Sequence, residues 1–279
     1  MLVSFDKMQG LGNDFVFIEA TQLGNRKFSA DEFRFICDRK LGVGCDTVVL
    51  YRLESNFVHT KFFNSDGSEA EICGNACRCF GVLLSQRFNW NHFNIKSAGK
   101  DYEVDVCGEK VCVNMGTPSF AIGKIGISDK RIDPMNILSD LDFCEDEQKL
   151  FADACAVSVG NPHLILLCKK ELSKDIIEKI GARLEPYPLF VNRINVSFVQ
   201  LLDHERIKLI VFERGVGVTL ACGSGAAASA FVAYKKHWVQ SNKITVEQSG
   251  GELLITMNDD GTVQQSGEAR YVFKGDFEI

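Results

Sequence analysis

Glu71-Ile72-Cys73-Gly74-Asn75-Ala76-Cys77-Arg78-Cys79 and Leu220-Ala221-Cys222-Gly223-Ser224-Gly225-Ala226 are two settings of one pattern. In each, a cysteine followed by glycine and a small polar residue opens an apolar run, Phe80 to Leu84 in the first and Ala226 to Val232 in the second. Asn75 and Ser224 are good N-cap types, so each run is expected to be a helix capped by one of them. A helix N-terminus presents free N–H groups and partial positive charge, which favour a thiolate and hold an anionic group. The two cysteines stand 149 positions apart (222 less 73), about half of the 279 residues. Two topologically similar domains, each giving one helix to a central cleft, would produce that spacing.

Such a pair of thiols suits proton transfer at a carbon. Cysteine has a reference pKa of about 8.5, close to operating pH, and two groups on opposite faces invert a centre more simply than one. Holding a thiolate at pH 7 requires roughly 2 kcal/mol. A helix N-terminus supplies about 0.3–1 kcal/mol, and up to about 2 in a partly buried site. The helix therefore nearly suffices, and further tuning is expected because a bound carboxylate competes for the same dipole.

Outward from the first motif, Val58 to Phe63 reads as a strand that delivers Asn64-Ser65-Asp66-Gly67-Ser68 to a loop. Before it, Gly42 to Asp46 turns into a strand at Val48 to Tyr51, and Ser29-Ala30-Asp31-Glu32 is a capping-box signal for a helix to about Arg39. Residues 2 to 8 and 15 to 19 read as strands joined by Gly10-Leu11-Gly12-Asn13-Asp14. This Gly-x-Gly has no third glycine and no following helix, so it is not a dinucleotide fingerprint. After the first helix, strands are expected at Phe93 to Lys96, Tyr102 to Val106 and Lys110 to Asn114, the last two joined by a turn at Cys107-Gly108-Glu109.

The segment from Thr117-Pro118 to Gly126 reads as a linker, which sets domains at 1–116 and 117–267 and lets the strand-like tail, 268–279, return to the first. In the second domain, strands at Ala154 to Ser158 and Leu164 to Cys168 bracket Gly160-Asn161-Pro162-His163. A helix follows at Ser173 to Arg183, then strands at Ile194 to Gln200 and Arg206 to Phe212, and Glu213-Arg214-Gly215. The second cysteine helix runs to about Trp238, and Lys243 to Gln248 with Glu252 to Met257 form a hairpin around Gly250-Gly251.

The composition, 46% hydrophobic and 24% charged, is that of a soluble globular protein with ample core. A net charge of −6 without a basic run argues against nucleic acid. No apolar stretch reaches about 18 residues, and the start lacks a signal-peptide pattern, so a cytoplasmic protein away from membranes is expected. The eleven cysteines are odd in number and never spaced Cys-x-x-Cys, which favours reduced thiols and no metal site.

The sequence closely resembles the diaminopimelate epimerases. The resemblance rests on Gly10-Leu11-Gly12-Asn13-Asp14-Phe15, Asn64 to Glu71, Cys73-Gly74-Asn75, Gly160-Asn161-Pro162-His163, Asn192-Arg193-Ile194-Asn195, and Glu213-Arg214-Gly215 through Cys222-Gly223-Ser224-Gly225. Each block alone is weak; jointly, in order, they are specific. The resemblance implies an α/β (α+β) fold of two pseudo-symmetric domains, each a curved, mostly antiparallel sheet around a central helix. It implies a homodimer and a cofactor-free interconversion of LL- and meso-diaminopimelate serving lysine and peptidoglycan synthesis. It makes Cys73 and Cys222 the acid/base pair and His163 and Glu213 the groups that tune them. Asn13, Asn64, Gly74, Asn75, Asn161, Asn195, Glu213, Arg214, Gly223 and Ser224 are then expected to bind substrate, Arg214 gripping the distal carboxylate and Glu213 the distal ammonium.

Three departures stand out. Gly217-Val218-Thr219 replaces the family's Gly-Glu-Thr, Ala76 replaces a glycine, and Thr47 stands where a glutamine is usual. Two other readings compete: a two-cysteine proline or hydroxyproline racemase, which commonly carries histidine where this chain has Asn75, and a thiol-rich redox or metal-binding protein, which would need clustered ligand spacing.

Overall fold

The structure is a computed structural model that describes residues 1–70, 73–97, 99–108 and 110–279. Glu71 and Ile72 of the first motif, and Glu109 of the expected turn, lie outside the described residues. The chain forms two compact units, Met1–Asn114 with Ser266–Ile279, and Met115–Gln265.

The first unit opens with strands β1 (Leu2–Gly10) and β2 (Asn13–Glu19), paired antiparallel through the two-residue turn Leu11-Gly12. Both turn residues have positive φ, the mirror-image geometry that matches the strand twist of a hairpin. Helix α1 (Ala30–Cys37) follows; Ser29 and Glu32 exchange the side-chain-to-backbone bonds of a capping box. Asp38 is extended, so the helix ends at Cys37 rather than Arg39. Then come β3 (Thr47–Glu54), β4 (Phe57–Asn64), the two-residue β5 (Glu69–Ala70), α2 (Gly74–Phe88), β6 (His92–Ser97), β7 (Lys100–Cys107) and β8 (Lys110–Asn114).

The second unit begins at Met115, two residues before the expected linker, and takes in that whole segment: α3 (Ile122–Ile125) forms there and Ser119 bridges to Ser158. It continues with α4 (Glu145–Gln148), β9 (Phe151–Ser158), β10 (Pro162–Cys168), α5 (Lys174–Leu184), β11 (Asn195–Leu201), β12 (Arg206–Glu213) and the two-residue β13 (Gly217–Val218). Helix α6 (Gly223–Lys235), β14 (Lys243–Gln248), β15 (Gly251–Met257) and β16 (Val263–Gly267) follow. The chain ends in β17 (Arg270–Glu278), which lies antiparallel to β1 in the first unit.

The two units repeat one topology. In the first, β1/β2 is antiparallel, β2/β3 parallel, β3/β4 antiparallel, β4/β6 parallel and β6/β7 antiparallel. In the second, β9/β10, β10/β11, β11/β12, β12/β14 and β14/β15 follow the same alternation. The register repeats as well. Val16 faces Val48, and Val48 faces Phe63; Leu164 faces Val196, and Val196 faces Phe212.

The central strands β2 and β10 are buried on both faces and are continuous apolar runs, whereas β8, β12 and β14 alternate. Phe15, Val16, Phe17 and Ile18 are all fully buried. Val16, Ile18 and Val48 pack with Phe33 and Ile36 of α1, and Leu164, Leu166 and Val196 pack with Ile177 and Ile180 of α5. The opposite faces enclose α2 and α6. Helix α2 touches β17 and β1 at one end of its sheet and β7 and β8 at the other, so that sheet curves around it. Helix α6 touches β9, β10, β11, β12, β14 and β15. Its alanines at 226, 227, 228 and 230 are fully buried, and a Cβ on Gly225 would stand 2.8 Å from Val211, so small side chains permit this enclosure.

Candidate active site

Both cysteine helices start two residues earlier than capping by Asn75 or Ser224 would place them. Gly74 and Gly223 are already helical, and the caps are the cysteines, in extended backbone at φ −109° and −125°. The carbonyl of Cys73 accepts from the N–H of Cys77 at 3.1 Å, and that of Cys222 from Ala226 at 2.9 Å. The correction matters chemically, because it puts each sulfur itself at the positive end of its helix.

In the first unit, the Cys73 thiol donates to Asn13 Oδ1 at 3.5 Å, and Asn75 Nδ2 donates to the same oxygen at 3.5 Å. Asn13 Nδ2 in turn donates to Asp46 at 3.0 Å. Behind it, Arg39 and Lys7 bond Asp14. Burial opposes ionisation of Asp14, but these bonds hold its carboxyl well below the usual carboxylate range. This ionic support for the Asn13 turn was not legible in the sequence, where Lys7, Arg39 and Asp46 belong to separate segments. Asn64 lies apart, exposed at the end of β4, and donates to Ser68 Oγ at 3.1 Å. Thr47 stands opposite Asn64 across β3 and β4.

In the second unit the groups are more densely connected. The Cys222 sulfur accepts from Gly225 N–H at 3.3 Å and lies 3.5 Å from Ser224 Oγ. His163 Nε2 lies 3.1 Å from Ser224 Oγ and 3.3 Å from Asn161 Oδ1, and Asn161 Nδ2 donates to Ser224 Oγ at 3.3 Å. Burial, with a smaller contribution from the Arg214 charge, presses the His163 pKa down to about 3. The ring is therefore neutral at physiological pH and acts on its neighbours as a dipole.

Glu213 accepts from Thr219 Oγ1 at 2.5 Å and from the Cys222 thiol. Burial pushes its carboxyl pKa up, and those two donors pull it partly back. Asn195 is buried and bonded to backbone at both ends: Nδ2 donates to Pro162 O at 2.9 Å and Oδ1 accepts from Arg214 N–H at 3.0 Å. It thus fixes the start of the Arg214 turn, and Arg214 Nη1 donates to Asn192 O at 3.1 Å. Two further residues had no signal in the sequence. Gln248 Oε1 accepts from Cys222 N–H at 2.8 Å, and Thr219 reaches Glu213 because β13 pairs beside β12.

The Val218 departure has a packing reason. Its side chain joins the apolar cluster of Ile177, Phe198 and Phe212, and with Leu172, Ile210 and Leu220 it lines a groove of about 790 Å³ beside α5. Among the described residues, the one close group of metal-ligand types is His92, Glu103 and Asp105 on the surface strands β6 and β7, and it includes none of the cysteines.

Known structures share this fold over essentially the whole chain. A phenazine biosynthesis protein from Bacillus anthracis matches with a TM-score of 0.69 at 14% identity, covering all of both chains. A hydroxyproline epimerase from Agrobacterium vitis matches at 0.64 and 10% identity, covering 99% of this chain and 91% of that one. The architecture is thus the two-unit α/β fold of this group, each sheet wrapped around a central helix.

Sequence narrows the class to a family. The model of the family described as diaminopimelate epimerase matches residues 5–121 and 155–272. The diaminopimelate epimerase of Gluconobacter oxydans is 37% identical over 278 residues, 99% of each chain, and that of Methanococcus maripaludis is 36% identical over 292, covering 99% of this chain and all of its own. The chain belongs to the diaminopimelate epimerase family, and it is an isomerase whose substrate is a small amino acid.

Proposed function

We propose that this protein interconverts LL- and meso-diaminopimelate, with Cys73 and Cys222 as the two proton-transfer groups. The observation that carries the reading is the repeated setting of the two sulfurs. Each caps the buried helix at the centre of its unit, and each is followed by glycine and a small polar residue. One cysteine, as thiolate, takes the α-hydrogen as a proton and becomes a thiol. The electron pair left on carbon spreads into the adjacent carboxylate, which the helix-start N–H groups at Gly74–Asn75 and Gly223–Ser224 stabilise. The other cysteine gives its proton to the opposite face and becomes the thiolate, so one turnover exchanges their protonation states.

Asn13 and Asn161 hold the polar side chains beside each cysteine, and His163, as a neutral ring, orients Ser224 and Asn161. Glu213 and Arg214 offer complementary charges for the distal ammonium and carboxylate, while Glu213 also tunes the Cys222 thiol. Asn195 positions Arg214. The exposed apolar residues Leu2, Val272 and Phe273 along the β1–β17 pair support a homodimer, which would sediment at about twice 31.0 kDa.

Purified protein in deuterated water is expected to convert LL-diaminopimelate to the meso isomer while exchanging the α-hydrogen. Cys73→Ala and Cys222→Ala are each expected to lower turnover by about 10²–10⁴-fold. Full activity in either variant would overturn the two-thiol assignment.

A further inference from the structure

Arg78 is fully buried in the second turn of α2. Among the described residues no carboxylate lies within ion-pair distance of its guanidinium; its bonds are all to neutral oxygens. Nη2 donates to Asn75 Oδ1 at 2.8 Å, Nη1 to Gly74 O at 3.5 Å and Nε to Glu268 O at 3.3 Å. A buried guanidinium keeps its charge, and a buried charge lacking a counter-ion is costly. Burial presses the Arg78 pKa down, and the neighbouring thiols Cys79, Cys73 and Cys77 press it back up, as prospective anions do.

We propose that Arg78 is a positioning residue whose charge lowers the pKa of the Cys73 thiol and whose Nη2 fixes the Asn75 amide beside that sulfur. The three thiols of α2 divide by exposure. Cys77 and Cys79 are sealed, and burial drives the pKa of both well upward. Cys73 is only partly buried and sits at the helix start, so of the three it is the thiol able to become an anion beside Arg78.

Other charges near α2 are engaged or exposed. On β1, Asp6 accepts from Arg87 and Tyr271, and Lys7 bonds Asp14. On β7, Glu103 and Asp105 lie against His92, and the remaining charged residues of β7, β8 and β17 are exposed. Beyond Asn13, Asp46 is held by Arg39. The backbone of β1 closes over the guanidinium: a Cβ on Gly10 would stand 3.5 Å from Arg78 Nη2 and 3.3 Å from Asn75 O.

The inference rests on Cys73 being one of the two proton-transfer thiols, but its test does not need turnover. Iodoacetamide alkylation of Cys73 and Cys222, followed site by site by peptide mass spectrometry across pH, reads each thiol's ionisation. In the unmodified protein the Cys73 inflection is expected below the ordinary 8.5 or so of a free thiol. Arg78→Gln is expected to raise it by about one pH unit and leave Cys222 in place, whereas Arg78→Lys, which retains the charge, keeps it low. An unmodified Cys73 inflection at or above the ordinary value overturns the inference even where Arg78→Gln fails to fold. So does a folded Arg78→Gln with an unchanged Cys73 profile, the outcome of a purely structural arginine. Failure of the functional reading is separate: diaminopimelate is not isomerised, whatever the alkylation profiles.

Discussion

Superimposing the two units by register pairs their polar residues one for one. Asn13 corresponds to Asn161, two residues before the paired positions Phe15 and His163, and those two stand opposite Thr47 and Asn195 respectively. Asn64 and Glu213 each lie nine residues before their cysteine, Asn75 and Ser224 two after it, and Arg78 and Ala227 five after it. The backbone plan, the cysteine and the first asparagine are therefore held in common, while ionisable groups are placed differently. The first unit has a phenyl ring and a sealed guanidinium where the second has an imidazole and a methyl group. The second has a half-buried carboxyl where the first has an exposed amide. Repeating a fold thus reproduces the helix-end setting of a sulfur, and the side chains around it then give each sulfur its own electrostatics.

Exchanging residues between the two frames is the sharpest way to probe that division. His163→Phe gives the second unit the ring that the first carries at Phe15. The His163 pKa lies near 3 in the folded protein against 6.5 for a free ring, so the unfolded chain binds the extra proton first as pH falls. Wild-type stability should consequently be unaffected by this group above 6.5 and decline progressively between pH 6.5 and 3, by about 4–5 kcal/mol in total. His163→Phe should lose that part of the pH dependence, seen as a smaller difference in denaturant midpoint between pH 7 and pH 4. Equal pH dependence in both proteins would mean the ring is not held neutral by its surroundings.

The same pairing shows what the chain's letters disclose and what they withhold. The hairpin at Leu11-Gly12 and the capping box at Ser29 are local chemistry, written in adjacent residues, and both form as read. The cysteine helices were legible from their glycines and apolar runs. Their caps were not, because asparagine and serine are better caps by type, and only the bonds of Asn75 to Arg78 and of Ser224 to His163 show those side chains otherwise engaged. Arg78, between two cysteines, drew no reading from the sequence, because burial of α2 on all sides is a tertiary fact. Strand β16 went unread because Gln264, Gln265 and Ser266 interrupt its apolar pattern, though Gln265 is fully buried.

A smaller effect is expected from restoring the family's carboxylate at Val218. That residue packs with Ile177 and Phe212, so Val218→Glu places a charge against an apolar cluster that wild type fills. A loss of about 1–3 kcal/mol in unfolding free energy is expected, with the first unit's thiol untouched. Unchanged stability together with a shifted Cys222 alkylation profile would instead indicate that the new carboxylate turns toward the sulfur and joins Glu213.

The mildest change isolates one unit's cysteine without touching any group that carries charge. Gln248 accepts from Cys222 N–H through Oε1, while its buried Nε2 has no hydrogen-bond partner among the described residues. Gln248→Leu removes both the acceptor and the unpaired donor. Leaving the Cys222 N–H unsatisfied costs on the order of 1–3 kcal/mol, and relieving the buried amide offsets much of it, so the net change in stability is expected within about 1 kcal/mol. The N–H freed at the helix start is one more donor near the Cys222 sulfur. Its alkylation inflection should therefore move slightly down in pH, with that of Cys73 unmoved. A shift in both profiles would show that the effect of the substitution is not confined to the Cys222 setting.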